Sequence, residues 1–280
     1  MSSIAPVNRI LPFSAVDGPG NRTAVFLQGC PFNCLYCHNP ETIRPCDNCG
    51  LCLSVCPTGA IRREGAAVRY DRTLCVMCDA CIHACPKSSC PRLRFLSAED
   101  TMAEVRKNLP FIRGVTVSGG ECTLHRDYLL ELAALAHREN LSLLLDSNGS
   151  HDFEKDPALT EAVDGIMLDV KAWDGAEHRR LCGHPNEVVL KNLRYLARVG
   201  KLAEVRTVVV PEQMNAEETV RMVSRTLKEL NATSVPYKII RFRPVGVREA
   251  YKHFRSPSRE ELDALERLAR SEGMERIVQI

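Results

Sequence analysis

The sequence predicts an α/β protein, a partial, open, TIM-like (βα)6 barrel with a cysteine-rich segment inserted after the first strand. From about residue 93 onward, apolar runs alternate with helical patterns, which is typical of βαβ units around a parallel sheet. Six strands are predicted, two fewer than in a complete eightfold barrel. In addition, eleven of the 14 cysteines lie within residues 30–85.

The first strand is predicted at 22–28, an apolar run that Gly29 closes. The other strands are predicted at 113–117, 141–146, 165–169, 204–210 and 236–242. Helices are predicted at 98–109, 126–139, 154–163, 187–199, 216–230 and 259–272. Ser97 and Ser258 each stand three residues before an acidic residue, which is the spacing of a capping box at a helix start.

The segment 45–92 interrupts this order and contains an internal repeat with a 29-residue offset, 46–57 against 75–86. Between the two copies, residues 60–70 are expected to form a short hairpin that turns at Gly65. The segment is too small to build much core of its own, so bound clusters are expected to organise its fold. We therefore divide the chain into a core, residues 1–44 and 93–280, and an insert, residues 45–92.

Composition limits the possible functions. The 37 basic and 35 acidic residues give a net charge of +2, which indicates no general affinity for nucleic acid or an anionic membrane. We see no signal-peptide pattern and no apolar run near the roughly 20 residues that span a bilayer, so we expect a cytoplasmic protein. Disulfides need an oxidising compartment, and the short spacings suit several thiolates around one inorganic centre. Metal binding is therefore the expected role of the cysteines.

Two four-cysteine runs in the insert have the x2-x2-x3 spacing, followed by proline, of bacterial two-cluster ferredoxins. In such proteins the fourth cysteine of each run ligates the cluster of the other run. The resemblance assigns one cluster to the first insert set, Cys46, Cys49, Cys52 and Cys85, and another to the second insert set, Cys56, Cys75, Cys78 and Cys81. Structural zinc is the alternative, because Cys-x2-Cys pairs also bind zinc. Two complete repeats favour iron–sulfur clusters.

A different signature precedes the insert. Cys30-x3-Cys34-x2-Cys37 supplies three thiolates, so one iron of a four-iron cluster would lack a protein ligand. The loop follows a predicted strand, at the barrel mouth where such folds place their chemistry. Three thiolates alone are also compatible with a zinc site. An open iron, in contrast to a closed electron-transfer cluster, can bind a substrate directly.

Polar residues follow three successive predicted strands of the core. Gly119-Gly-Glu121 comes after the strand at 113–117, Asp146 ends the next strand, and Asp169-Val-Lys171 ends the one after. Adjacent glycines let a ligand approach the backbone, and a carboxylate accepts hydrogen bonds from an ammonium group. Each segment alone is compatible with an ordinary turn. Together they favour a binding site.

The cysteine loop, with Tyr36 before its last cysteine, resembles the defining loop of the radical S-adenosylmethionine (SAM) superfamily. The resemblance implies a [4Fe–4S] cluster whose open iron is chelated by the amino and carboxylate groups of SAM. One electron from the cluster would then cleave SAM into methionine and a 5′-deoxyadenosyl radical. It also implies that residues 119–121 hold the SAM amino group, that Lys171 meets the carboxylate, and that Asp169 orients Lys171 or binds a monovalent cation.

Longer motifs resemble the glycyl radical enzyme activating enzymes, and look closest to the YjjW-type branch. They occupy 14–22, 26–40, 116–121, 145–149, 167–171 and 206–211. The resemblance implies hydrogen abstraction from a backbone glycine of a partner glycyl radical enzyme. With the insert, it implies three [4Fe–4S] clusters and SAM as cofactors, and a flavodoxin or ferredoxin as electron donor.

The resemblance also implies roles for individual residues. Catalysis is assigned to Cys30, Cys34, Cys37 and Lys171. SAM binding is assigned to Tyr36, Cys37, His38, Gly119, Gly120, Glu121, Asp146, Asp169, Val170, Lys171 and Arg243. Arg243 is a departure, because activating enzymes often carry a histidine after the last strand. Three cysteines remain, Cys90, Cys122 and Cys182, which we interpret as small buried apolar side chains, with a redox role left open for Cys122.

Two other functions stay open from the sequence. One is a radical SAM enzyme that acts on a small molecule or another peptide. The other is a non-catalytic iron–sulfur electron carrier or a zinc module. The polar motifs at the strand ends weigh against the carrier, because electron transfer alone does not need them.

Overall fold

The computed structural model describes residues 3–280; Met1 and Ser2, the first residues of the predicted core, lie outside the described residues. The strands are β1 (Ile4–Ser14), β2 (Arg22–Leu27), β3 (Ile61–Glu64), β4 (Ala67–Tyr70), β5 (Arg94–Ser97), β6 (Gly114–Gly119), β7 (Ser142–Ser147), β8 (Gly165–Asp169), β9 (Leu202–Val209), β10 (Tyr237–Arg241) and β11 (Ile277–Gln279). The α-helices are α1 (Ala80–His83), α2 (Ala98–Arg106), α3 (Arg126–Arg138), α4 (Pro157–Ala162), α5 (Gly175–Cys182), α6 (Glu187–Arg198), α7 (Ala216–Glu229) and α8 (Arg259–Ser271).

The main sheet has nine strands in the order β11-β10-β9-β8-β7-β6-β2-β1-β5. Its six consecutive strands from β2 to β10 are parallel and correspond to the six predicted strands, so the predicted parallel α/β architecture is confirmed. The sequence analysis did not predict β1, β5 or β11. The two prolines in β1 disfavour a strand prediction. β5 and β11, with only four and three residues, are too short to give a clear strand pattern.

The sheet curls around an interior. Thr116 Oγ1 on β6 donates to the Asp17 carbonyl at 2.5 Å, while Lys238 Nζ on β10 donates to the adjacent Val16 carbonyl at 3.5 Å. These strands are four places apart, a distance of about 19 Å in a flat sheet with strands about 4.8 Å apart. Two neighbouring carbonyls reach both strands only because the sheet is curved. The loop after β1 therefore lies across the interior of a partial barrel.

The helices follow the predicted order with small corrections. α2 ends at Arg106 rather than 109, because Pro110 takes part in a separate 3-10 turn, Leu109–Phe111. α4 begins at Pro157 rather than 154, where proline fits the first helical position and the Asp156 side chain accepts from the Leu159 N–H. α5 was not predicted, since its sequence carries few apolar residues. Within residues 3–280 no helix is long and apolar enough to cross a membrane.

The insert has little packed interior. Its predicted hairpin is confirmed: β3 pairs antiparallel with β4 in a separate two-stranded sheet, and Gly65 at the turn has φ +59°. Its own buried apolar cluster consists of Cys52, Ile61 and Cys81. The insert is tied to the core where the Ser89 hydroxyl donates to the Arg44 carbonyl at 2.8 Å. The boundaries at 45 and 92 stay a prediction.

Candidate functional site

The loop that carries Cys30, Cys34 and Cys37 follows β2 and is closed on itself. The Gly29 and Cys30 N–H groups donate to the carbonyls of Thr42 and Ile43, at 2.8 and 3.0 Å. Gln28 Nε2 donates to the carbonyls of Glu41 and Arg44. The loop is thus held at both ends by backbone acceptors at the carboxyl edge of the sheet, and its shape does not depend on the cysteines alone.

The two glycines after β6 lie directly against this loop. The Gly120 N–H donates to the Leu27 carbonyl at 3.0 Å, and the Glu121 N–H donates to the Gly29 carbonyl at 2.7 Å. A Cβ atom on Gly119 would stand 2.2 Å from the Leu27 oxygen, and one on Gly120 would stand 2.1 Å from the Gly29 oxygen. Both positions therefore require glycine, because a backbone oxygen occupies the space of a side chain.

The three loop cysteines influence one another electrostatically. Burial, followed by the charges of Glu121 and Cys34, raises the pKa of the Cys30 thiol. Burial and the Cys34 charge raise the pKa of Cys37 to about 12. A hydrogen bond with Cys182 lowers the pKa of Cys34 to about 7. Because thiolates at these sites repel one another, a positively charged group among them is needed to hold all three ionised. An iron–sulfur cluster fits this donor set.

Glu121 is fully buried and fastens the end of β6 to the end of β7. Its carboxylate accepts from the Thr123 hydroxyl at 2.7 Å, the Ser147 hydroxyl at 2.9 Å and the Asn148 N–H at 2.7 Å. Burial raises the pKa of Glu121 despite these bonds. Asn148 Nδ2 in turn donates to Cys30 Sγ at 3.4 Å. The structure thus shows Glu121 orienting a residue that touches the cysteine loop, while its predicted contact with an ammonium group stays a prediction.

Lys171 is buried beside the loop. Its Nζ lies 2.6 Å from Asp169 Oδ2, and its side chain is 12% exposed. Burial opposes its charge, but the negative charges of Asp169 and Cys34 raise the pKa of Lys171 well above its ordinary value. Val170 between them is fully buried, and its N–H donates to the Arg206 carbonyl. A permanent ammonium charge therefore stands next to the cysteine loop.

A buried ionic network that the sequence analysis missed lies next to this pair. Arg206 Nη1 is 3.0 Å from Asp146 Oδ1, and Lys238 Nζ is 3.0 Å from Glu204 Oε2. Arg206 and Glu204 are themselves an ion pair. Burial raises the pKa of Asp146, and the Arg206 charge opposes that effect. Charges two residues apart in the predicted strand 204–210 point to the same face of a sheet, which is a signal that could have revealed this network.

The segment after β10 covers the far side of the loop. His38 Nε2 donates to the Arg243 carbonyl at 2.9 Å, while the Arg243 side chain is exposed. The Tyr36 ring packs edge-on against Phe242, and its buried hydroxyl has no hydrogen-bond partner among the described residues. Arg248, which the sequence analysis did not single out, donates to the Cys34 carbonyl at 2.7 Å. The predicted role of the Arg243 side chain stays a prediction.

The three leftover cysteines are buried, as predicted. Cys182 ends α5 against the loop: its carbonyl accepts from the Asn33 N–H at 2.9 Å, and its thiol contacts Cys34. Cys122 Sγ lies 3.5 Å from the Asp146 carbonyl. Cys90 lies where the insert rejoins the core, with its N–H donating to the Glu41 carbonyl. Cys182, rather than Cys122, is the leftover cysteine that touches a loop cysteine.

In the insert, cysteines from different runs come together. Burial raises the pKa of Cys52, and the charges of Cys46, Cys49 and Cys85 act on it, so the first insert set is one neighbourhood. The second insert set, Cys56, Cys75, Cys78 and Cys81, lines one small cavity. In residues 3–280 no group of three or more His, Cys, Asp or Glu side chains stands close enough to hold a single metal ion. Thiolates of a four-iron cluster bind different irons and stand farther apart, so both donor sets fit such a cluster.

Comparison with known proteins identifies the family. The radical SAM superfamily matches residues 24–223. A putative glycyl-radical enzyme activating enzyme from Haemophilus influenzae is 33% identical over 98% of this chain and 96% of its own length. An indoleacetate decarboxylase activating enzyme from Tractidigestivibacter scatoligenes is 30% identical over 85% of this chain and 83% of its own length.

A solved structure supports the fold. QueE from Escherichia coli has a TM-score of 0.53 and 15% identity, over 99% of this chain and 94% of that chain. At that identity the likeness concerns architecture alone, and it extends over the core and the insert together. The chain belongs to the radical SAM superfamily and, within it, to the glycyl-radical enzyme activating enzymes.

Proposed function

We propose that this protein activates a glycyl radical enzyme by removing a hydrogen atom from one of its backbone glycines, with SAM and a [4Fe–4S] cluster as cofactors. The proposal rests on one observation: polar groups from different strand ends converge on the cysteine loop. Asn148 donates a hydrogen bond to Cys30, and the Lys171 ammonium interacts electrostatically with Cys34. A site for a polar cofactor needs such groups, whereas an electron carrier does not. The family assignment adds that relatives of this length are named as activating enzymes.

The residues present fit the cofactors. Cys30, Cys34 and Cys37 would hold three irons and leave the fourth for SAM, since the loop supplies no fourth thiolate. When bound, the cluster supplies one electron that cleaves the sulfonium bond of SAM, and the resulting 5′-deoxyadenosyl radical takes the glycine hydrogen. Cys34 and Tyr36 are buried, so this part of the loop is shielded from water. The work of the protein is thus to bind, orient and shield.

We assign the parts of SAM to the strand ends. The backbone at Gly119 and Gly120 and the carboxylate of Glu121 would take the amino group. Lys171 would pair with the SAM carboxylate, since its ammonium is buried and needs negative partners. Asp169 would hold Lys171 in place or take a monovalent cation.

The remaining predicted SAM contacts belong to the same proposal. They come from the aromatic edge of the loop, from the polar end of β7, from the residue after β8 and from the segment after β10. They are Tyr36, Cys37, His38, Asp146, Val170 and Arg243.

The insert would carry two further [4Fe–4S] clusters, which makes three in all, and residues 45–92 would form a ferredoxin-like domain within a core of 1–44 and 93–280. The crossed neighbourhoods of its cysteines support this assignment. Cys49 and Cys78, one from each set, are exposed, so a reduced flavodoxin or ferredoxin would meet both clusters at the surface. The relation to the YjjW-type branch belongs to the same proposal.

The test is anaerobic activation of the partner. The reconstituted chain, SAM and a reductant are mixed with the glycyl radical enzyme encoded beside it, and the product is examined by electron paramagnetic resonance. We expect a glycyl radical doublet that depends on SAM. SAM cleavage without any doublet on the partner would overturn the proposal in favour of a small-molecule or peptide substrate. Iron analysis should find about twelve irons per chain.

A further inference from the structure

Arg92, at the end of the insert, is unusually buried for an arginine of this segment. Its side chain is 10% exposed, against 53% for Arg62 and 64% for Arg69. It lines the cavity that the second insert set surrounds. A guanidinium cannot lose its proton in a protein, so it brings a permanent charge to that cavity.

The Arg92 side chain is held in place by contacts with Asp79, which lines the same cavity, and with Met77. Its Nη2 lies 2.5 Å from Asp79 Oδ1, and its Nη1 donates to Met77 Sδ at 3.5 Å. The guanidinium also interacts with the side chains of Cys75 and Cys90. Asp79 is 50% exposed, so water screens much of its charge while the arginine lies inside. The strongest electrostatic influence inside the cavity is therefore the positive charge of Arg92.

The cations near the first insert set are placed differently. Lys87 pairs with Asp47 at 2.5 Å, and both side chains are 45% exposed. Arg63 is exposed and donates to the Cys49 carbonyl at 3.1 Å rather than lining a cysteine cavity. Solvent screens these charges, so they stabilise negative charge on a nearby group much less than a buried guanidinium does.

We propose that Arg92, restrained by Asp79, raises the reduction potential of the cluster held by the second insert set above that of the cluster held by the first insert set. The first electron that enters the insert therefore resides on the second of these clusters. This inference rests on the two-cluster insert proposed above. A cluster gains one negative charge on reduction, and net charge and hydrogen bonds to its sulfurs set its potential. A desolvated cation beside the thiolates stabilises the reduced form. Arg92 thus determines which of the two insert clusters is reduced first.

The experiment is a redox titration of the full reconstituted chain, followed by electron paramagnetic resonance, in which the cluster that responds to added SAM is set aside. In Arg92→Gln, we expect the higher of the two insert couples to fall. At a fixed potential its reduced-to-oxidised ratio should drop at least tenfold, which is about 59 mV for a one-electron couple. The lower couple should stay where it is.

In Asp79→Asn, we expect the reduction potential of the same couple to shift in the opposite direction. Asp79 has φ +60°, a conformation that asparagine also adopts readily, so the backbone should be unaffected. Removing the carboxylate should raise the same couple. Arg92→Lys keeps the charge and should keep most of the potential, and Arg62→Gln, at an exposed arginine, should move neither couple.

Each outcome decides the matter. Unchanged couples in Arg92→Gln, or a shift of the lower couple instead, would overturn the inference while leaving the cluster assignment intact. Loss of iron in Arg92→Gln would show that Arg92 holds the cluster rather than tunes it, which also overturns the inference. Fewer than about eight irons in the insert of the parent protein would overturn the two-cluster proposal itself.

Discussion

In the core, Cys30, Cys34 and Cys37 lie on a loop whose ends are hydrogen-bonded to each other and to the end of β6, next to buried polar groups from three strands. In the insert, the eight cysteines accompany one short hairpin, and two of them, Cys52 and Cys81, are part of its buried apolar cluster of three residues. The core therefore shapes its cysteine site through its own hydrogen bonds, whereas the insert, with so little apolar interior, would depend on its proposed clusters for stability. Under the proposed function, the chain would hold iron in two ways, in a preformed loop for chemistry and in a cluster-dependent insert for electron supply.

The largest effect should come from the loop cysteine that is most buried. We expect Cys34→Ser to lose about four of the twelve irons and to form no glycyl radical on the partner, while the two insert clusters remain. Iron analysis and electron paramagnetic resonance measure both results. Cys122→Ala is the matched control, since Cys122 is also buried but its thiol donates to the Asp146 carbonyl and to Glu121 rather than lying on the loop; it should keep its iron. A full iron content in Cys34→Ser would contradict the ligand assignment.

Removal of all iron should separate the two regions. With an anaerobic chelator, we expect amide protection against hydrogen exchange to disappear across 45–92, because little apolar surface holds the insert together. Amides of β6 to β9 should keep their protection, because the sheet packs against the main hydrophobic core. Mass spectrometry of peptides from both regions measures this. If the iron-free insert stayed protected, its fold would not depend on its clusters.

The contrast also explains what the sequence revealed. Regular periodicity predicted the six parallel strands to within two residues, since each contains a short apolar run and is largely buried. The resemblance of the four-cysteine runs to two-cluster ferredoxins predicted which insert cysteines share a cluster; this grouping stays a prediction, which the crossed neighbourhoods of the cysteines support. The Arg206–Asp146 ion pair and the hydrogen bond from Arg248 to the Cys34 carbonyl were not predicted, since each joins residues from distant strands or loops. Such partners depend on how the sheet curls, which no local pattern records.

Glycine substitutions compare the rigidity of the two regions. Gly120→Ala puts a methyl group 2.1 Å from the Gly29 oxygen, so we expect a loss of about 2–3 kcal/mol of stability and poorer iron binding at the loop. Gly59→Ala in the insert meets open space and suffers only its positive φ of +65°, about 1 kcal/mol. Denaturant unfolding and iron content of both variants give the answer. Equal effects at the two sites would mean that the loop is not tightly held.

The smallest effect concerns an ion pair between α3 and α4 in the core. Arg126 binds Asp156 with two hydrogen bonds, at 2.6 and 2.9 Å, which lower the pKa of Asp156. Because the folded-state pKa is depressed, this stabilisation is complete above the unfolded value of about 3.9 and is lost as the pH falls through the lower folded value. Arg126→Gln should therefore lower Tm slightly at pH 7, by an amount that shrinks as the pH falls below about 4.

The matched variant breaks an exposed ion pair elsewhere in the core. Lys252→Gln breaks the pair with Glu249, which is as short but exposed on both sides, so it should leave Tm unchanged at each pH. Iron-free protein is used throughout, because acid releases iron from clusters. Tm is measured by circular dichroism at each pH for the parent and both variants. A pH-independent loss in Arg126→Gln would show that the arginine acts through packing of its aliphatic part, since only the charge interaction with Asp156 disappears when that carboxylate is protonated.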